Sequence, residues 1–338
     1  MRWRFLALFL LGVLIVLAVF WVSGPEAVIR DMLKFSLKYF CVLLFLQLVI
    51  MFLWALKLRI VLRHSNVSLR NVVAVSFTGY FVNNLTPVNL AGGEPVMAYL
   101  LPKVDRNINT ERSAAGVIIN TFLTVFPVVS FILIAILLGL RHSIPFKLAV
   151  VLLAGGCAVS LAFLAILMLF IKEEYSRRLI TFVINFLKKV PVDFLREHAI
   201  DAEKRVDRII ENFNDSMHKT MADKSILASG ILLSSIIWFL YFFQTYIIFQ
   251  FIGYPVAFET ILIVKIATIV IGFLSITPGA VGIWEGISTW LFSLYSIPAS
   301  TAAAAVFIER LFTFWIGSFI GFLAMAYLGA SYLLEKYV

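Results

Sequence analysis

Asn83-Asn84-Leu85-Thr86-Pro87-Val88-Asn89-Leu90-Ala91-Gly92-Gly93-Glu94 and, far downstream, Leu274-Ser275-Ile276-Thr277-Pro278-Gly279-Ala280-Val281-Gly282-Ile283-Trp284-Glu285 are two versions of one pattern. Each runs Thr-Pro, then small or apolar residues, then a Glu seven positions after the Pro. Proline lacks the N–H and disfavours a helical predecessor, so each stretch breaks the long apolar segment in which it lies. Irregular backbone at membrane depth is tolerated only where protein or a water-filled cavity satisfies its polar groups. Two matched breaks, each followed by a carboxylate, point to one shared internal site.

The surroundings are those of a membrane protein. The chain has 338 residues, of which 62% are hydrophobic and 14% charged, against roughly 25% charged in a soluble domain. Its fold class is therefore all-α and polytopic. Residues 5–22 read as a retained first span, residues 23–38 as a short amphipathic helix on the outer surface, and residues 39–56 as a second span. Lys57, Arg59, Arg63 and Arg70 follow as a basic cluster that the positive-inside rule puts in the cytoplasm. Residues 71–84 give a helix of about 21 Å, too short for a hydrocarbon core of about 30 Å. Residues 92–101 then return to Lys103, Arg106 and Arg112, so this element is expected to be a re-entrant hairpin.

Residues 113–140, with Pro127 as an expected kink, and 148–171 supply the third and fourth spans. Residues 172–224 hold eleven Lys or Arg and ten Asp or Glu, with apolar residues at helical spacing, and read as a cytoplasmic amphipathic helical insert. Residues 225–251 are the fifth span, 259–276 and 283–295 the two arms of the second broken element, and 301–328 the sixth span. Of the 28 Lys and Arg, this topology puts 21 inside, 5 outside and 2, Lys265 and Arg310, within the membrane. Both termini are then cytoplasmic.

The repeat extends beyond the breaks. Ser113-Ala114-Ala115-Gly116-Val117-Ile118-Ile119 after the first matches Ala302-Ala303-Ala304-Ala305-Val306-Phe307-Ile308 after the second. Each copy, 39–140 and 225–328, reads as span, broken re-entrant pair, span. The two pairs enter from opposite faces, the inverted-repeat architecture associated with transporters. The competing reading is a helical bundle with two Pro-Gly kinks.

The expected site gathers residues from both breaks. Gly92, Gly93, Gly279 and Gly282 allow close backbone approach beside Pro87 and Pro278. Asn83, Asn84, Asn89, Thr86 and Thr277 offer neutral hydrogen bonds, and the helix N-termini at the breaks suit phosphate. Lys265 and Arg310 are the cations, and Glu94, Glu285 and Glu309 are the carboxylates. Each carboxylate costs roughly 2.5–3.5 kcal/mol in hydrocarbon, so they are expected to face one another, the cations or water. Glu309 and Arg310 are adjacent and cannot share a helix face, so each needs its own partner. Two readings stand: contact with a head group or coupling ion, or internal ion pairs that hold the copies together. No nucleophile beside a base, no metal-ligand spacing and no nucleotide loop appears, so neither enzymatic activity nor a cofactor is expected. Cys41 and Cys157 lie in spans and read as buried small apolar residues.

At these residues the chain resembles the lysylphosphatidylglycerol synthase transmembrane-region family, also called the flippase-like domain family, from about residue 5 to 330. The likeness rests on Leu85-Thr86-Pro87, Gly92-Gly93-Glu94, Pro278-Gly279-Ala280-Val281-Gly282 with Glu285, and Arg310. It implies carriage of an aminoacylated lipid across the bilayer, which in synthase members a separate soluble domain makes. No such domain is read here, so synthase activity is not carried over. Met97 stands where the family often has a basic residue, and Asn120-Thr121 where it often has Glu-Arg.

The expected function is a flippase, scramblase or transporter for an anionic, aminoacylated or polyprenyl-linked lipid in the cell membrane. The alternative is a membrane enzyme or accessory subunit that holds a lipid for a separate transferase. The expected partner is an anionic lipid head group and not nucleic acid, with a coupling ion and homo-oligomerisation left open.

Overall fold

A computed structural model describes residues 2–86, 92–141, 146–162, 177–178, 206–272, 275 and 277–337. These residues are helices and their connections. Helix α1 (Arg2–Val22) turns through 90° into α2 (Pro25–Leu33). Gly24 makes the corner at φ 84°, and Pro25 at the first helical position is pre-set for the new direction. Helix α2 is tied to the body of the protein by Asp31, which accepts from the Thr301 hydroxyl at 2.8 Å and pairs with Lys34 at 2.7 Å.

Helix α3 (Leu37–Val61) leads to α4 (Leu69–Leu85), α5 (Gly93–Val104) and α6 (Thr110–Arg141). Pro127 lies inside α6, which continues through it. Helix α7 (Leu148–Ala162) contains a wide π-helical turn, Val151–Gly155. After α8 (Val206–Ala222) come α9 (Lys224–Phe251), α10 (Phe258–Gly272) and α11 (Ile283–Ser293). Helix α12 (Ala299–Arg310) passes through a second π-helical turn, Leu311–Ile316, into α13 (Gly317–Tyr337).

Four helical stretches are long and apolar enough to cross a membrane: α3, α6, α9, and α12 with α13 over Ala299–Ala330. The bent pair α1–α2 is a fifth. The other expected span, 148–171, is described only as far as Ala162. Of the expected insert, 172–224, the structure describes Arg177, Arg178 and the residues from 206 onward, where α8 lays Phe213 and Met217 against α6 and the start of α9.

The four helices around the breaks, at 17, 12, 15 and 11 residues, are about 16–26 Å long and none spans about 30 Å. The first pair folds back on itself. Asp105, just past α5, accepts the backbone N–H of Ser68 at 2.9 Å and the Asn71 amide at 3.0 Å, so the start of α4 and the end of α5 lie at one level. Burial would raise the Asp105 carboxyl, but the N–H donors of Ser68, Asn107 and Asn71 hold it below the ordinary carboxylate value.

Helix α10 is apolar on every face and correspondingly central: Ile261 to Val270 are all buried. The large core, drawn from α3, α6, α7 and α9 to α12, packs around it. Cys41 and Cys157 correct the expectation of burial, since both are exposed. The outer surface of a bundle facing lipid is as apolar as its core, so a small apolar residue fits either place.

Candidate functional site

The two breaks touch. The Gly279 N–H points to the Thr86 carbonyl at 3.4 Å, joining the tip of one broken element to the tip of the other. Only glycine fits at 279: φ is +58°, and an added Cβ would lie 2.2 Å from the Phe314 ring and 2.5 Å from the Asn84 carbonyl oxygen. Asn84 also reaches across, donating to the Ser318 hydroxyl at 2.9 Å. Pro87 and Asn89, both expected at the site, lie outside the described residues.

In the second break, Thr277 donates to the Val281 carbonyl at 2.9 Å, Pro278 opens a tight turn, and Gly282 at φ +82° starts α11. Glu285 closes this turn with both oxygens: Oε2 accepts the Gly282 N–H at 2.6 Å and Oε1 accepts Arg310 Nε at 2.7 Å. Arg310 Nη2 adds a bond to the Gly279 carbonyl at 2.8 Å, so one guanidinium clamps the turn at two points. The Phe314 ring lies 4.5 Å from the same guanidinium.

Glu309, one residue earlier on α12, faces another way. It accepts from Lys265 and, at 3.0 Å, from the Thr245 hydroxyl. Both ions of this pair are sealed off, at 0% and 1% side-chain exposure. The Lys265 ammonium also sits 4.9 Å from the Tyr241 ring and 4.8 Å from that of Trp284. Two adjacent charges therefore have two separate partners.

The first break is built differently. Asn83 accepts the Gly93 N–H at 2.7 Å and reaches Glu94 Oε1 at 3.4 Å, while the Thr86 side chain fills the space beside Gly92. Glu94 has no ion pair among the described residues, and its buried Oε2 has no hydrogen-bond partner there. The sequence explains the asymmetry. Counting from each Pro, Glu309-Arg310 in the second copy corresponds to Asn120-Thr121 in the first, give or take two positions, so Glu94 has no arginine to meet.

Between the halves lies a cavity of about 240 Å³. Of the described residues expected at the site, Asn83, Asn84 and Arg310 line it, whereas Lys265, Glu285 and Glu309 do not. Gln47, Tyr80, Thr124, Ser234 and Trp238 line it as well, and so does Lys57. Lys57, expected in the basic cluster that follows the second span, is fully buried there, because α3 runs on to Val61. Its ammonium donates to the Asn120 carbonyl at 3.2 Å and to the Thr124 hydroxyl. The available signal was periodicity, because Gln47, Met51, Trp54, Lys57 and Val61 recur every three or four residues along one face. Polar contact also joins the halves above this wall, where Gln244 Nε2 approaches Gln47 Oε1 at 3.4 Å.

A second cavity, about 500 Å³, opens between the end of α3, the start of α6 and α8, and its walls mix His64, Arg112 and Lys219 with Asp215 and Asp223. There the Arg63 guanidinium holds the Asp223 carboxyl below the ordinary carboxylate value. It shares no residue with either break. Among the described residues no three His, Cys, Asp or Glu side chains converge to hold a metal.

Known proteins similar to this chain are membrane proteins. A UPF0104 membrane protein of Pyrococcus horikoshii is 28% identical over 93% of this chain and 94% of its own length. One from Methanothermobacter thermautotrophicus is 29% identical over 96% of this chain and 95% of its own. The sequence profile of the lysylphosphatidylglycerol synthase TM region matches residues 9–321, which include both breaks and Arg310, and the chain belongs to that family.

Proposed function

We propose that this protein moves a lipid with an anionic head group between the leaflets of the cell membrane, with the cavity between the two breaks as its path. The observation that carries this reading is the meeting of two broken hairpins, through Gly279 and Thr86, beside a polar cavity walled by Lys57 and Arg310. A head group in hydrocarbon loses its hydration, and buried donors that replace water lower that cost. Arg310 spends donors on Glu285 and the Gly279 carbonyl, yet a guanidinium has five, so a lipid phosphate has N–H groups left to bind. The family's name, which joins a membrane region to lysylphosphatidylglycerol, supports lipid as the cargo.

The two copies act as inverted repeats, with α3 and α9 meeting at Gln47 and Gln244 as their corresponding spans. Without a nucleotide loop, movement is downhill or coupled to an ion, and the protein is a carrier, not an enzyme. Liposomes holding the full chain and a labelled anionic lipid test this: the label should change leaflet faster than in protein-free liposomes. Turnover of the lipid without movement would favour the alternative, a lipid-holding enzyme or subunit. The inverted topology has its own test, cysteine labelling from each face. Positions in 172–224 should label from the cytoplasm and positions in 296–300 from outside; labelling of both from one face would remove the inversion.

A further inference from the structure

Lys57 is a buried cation that touches no carboxylate among the described residues; the charge that acts on it, that of Glu94, lies beyond ion-pair distance. The other two buried cations, Lys265 and Arg310, have Glu309 and Glu285. Two of its three N–H donors are taken, by the Asn120 carbonyl and the Thr124 hydroxyl. These are neutral acceptors, and with Glu94 acting only from beyond contact they leave the charge incompletely balanced, which is costly in a buried site. Nothing in the fold requires an ammonium there, since the Thr124 hydroxyl already bonds the Asn120 carbonyl at 2.8 Å without it.

The rest of the wall has the same sense. Among the described residues, two cations line the cavity and no carboxylate does. Trp284 and Ser234 also line it, and the indole N–H of the one and the hydroxyl of the other are buried with no hydrogen-bond partner among the described residues. An indole N–H can only donate. The wall is thus supplied for a ligand that accepts hydrogen bonds and carries negative charge. A ligand with an amine would need the opposite. Of the aromatic rings on the wall, Tyr241 and Trp284 already face the Lys265 ammonium at 4.9 and 4.8 Å, and Trp54, Tyr80 and Trp238 share the wall with Lys57 and Arg310, whose charge repels an amine. The volume of about 240 Å³ is that of about eight waters at about 30 Å³ each, room for a phosphate and a small polar extension.

We propose that Lys57 is the anion-recognising residue of this cavity and that its ligand is a phosphate head group without an amine, which excludes aminoacylated lipids. The inference rests on the transport reading only for the identity of the cavity, since it concerns what the cavity binds. The phosphate could belong to a lipid or be free, and lipid is the source proposed, because the cavity lies among membrane-spanning helices.

The test is ligand binding to the purified full chain in detergent, read as thermal protection, with short-chain phosphatidic acid, lysylphosphatidylglycerol and inorganic phosphate as probes. Phosphatidic acid should protect the wild type, and the other two should protect it at least about tenfold less potently. Lys57→Met, which keeps side-chain length and breaks no ion-pair contact, should bind phosphatidic acid about tenfold more weakly, the scale of one charge-assisted hydrogen bond. Equal potency of lysylphosphatidylglycerol overturns the exclusion of amines, and equal potency of inorganic phosphate overturns the lipid source. Unchanged binding by a folded Lys57→Met overturns the role of Lys57. The wild-type comparison needs no variant, so a Lys57→Met chain that fails to fold leaves the ligand class decided. Phosphatidic acid bound through Lys57 by a protein that moves no lipid supports this inference while removing the transport reading.

Discussion

Lys265→Met should destabilise the protein by about 3–5 kcal/mol, enough to abolish folding at moderate temperature. The reason is the sealed pair: Glu309 and Lys265 are 1% and 0% exposed, and removal of the ammonium leaves a carboxylate in the middle of the core with neutral hydroxyl partners such as Thr245. Attraction between the two ions merely offsets the cost of taking both from water, so removing both costs far less than removing one. Lys265→Met combined with Glu309→Gln should therefore recover most of the lost stability, and the recovery is read as a coupling energy from the melting temperatures of the four proteins. A single variant as stable as the wild type would show that Lys265 is not paired in the folded protein. This pair is a strut between α10 and α12, and the internal-ion-pair reading of the sequence applies to it. Arg310 and Glu285 combine both roles, because the clamp on the second break also forms cavity wall.

Gly279→Ala should cost about 2–5 kcal/mol. A left-handed backbone costs a residue with a Cβ about 1–2 kcal/mol. Overpacking adds about 1–3 kcal/mol, since the new methyl would sit 2.2 Å from the Phe314 ring and 2.5 Å from the Asn84 carbonyl. Gly253 provides the control. Its φ is +78°, but nothing lies within 4 Å of an added Cβ, so Gly253→Ala should show the backbone cost alone. The difference between the two, measured as melting temperature, isolates the close packing at Gly279, against the Phe314 ring and the Asn84 carbonyl of the other break. Equal costs would mean that the breaks are not packed at Gly279.

Much of this was legible in the sequence because backbone chemistry decides it. Thr86-Pro87 and Thr277-Pro278 cannot continue a helix, and segments of about 21 Å cannot cross a bilayer, so two short broken elements follow from local rules. The separate partners of Glu309 and Arg310 followed from the 100° between adjacent helical residues. What was not legible depends on which face of an apolar helix meets protein. Lipid and core are equally apolar, so hydropathy could not show that Cys41 and Cys157 are exposed or that α10 is enclosed. Lys57 was obscured by its position in the sequence. It stands two residues before Arg59 at the end of an apolar run, where the positive-inside rule reads any cation as cytoplasmic. The last turn of α3, which carries it into the interior, came from packing against α6.

The central claim is that the cavity between the breaks carries an anionic lipid, and Arg310→Lys tests it most directly. Lysine keeps the charge opposite Glu285 but lacks the planar fork that holds Glu285 and the Gly279 carbonyl while offering further N–H groups to a phosphate. The measurement is the rate at which labelled phosphatidic acid changes leaflet in liposomes carrying wild type or Arg310→Lys at equal density, with melting temperature confirming that both are folded. The account predicts movement in wild-type liposomes well above the protein-free rate and a fall of about tenfold or more in the variant, since each ~1.4 kcal/mol of lost stabilisation is tenfold in rate. A wild-type rate equal to that of protein-free liposomes, or a folded variant as fast as the wild type, would contradict it.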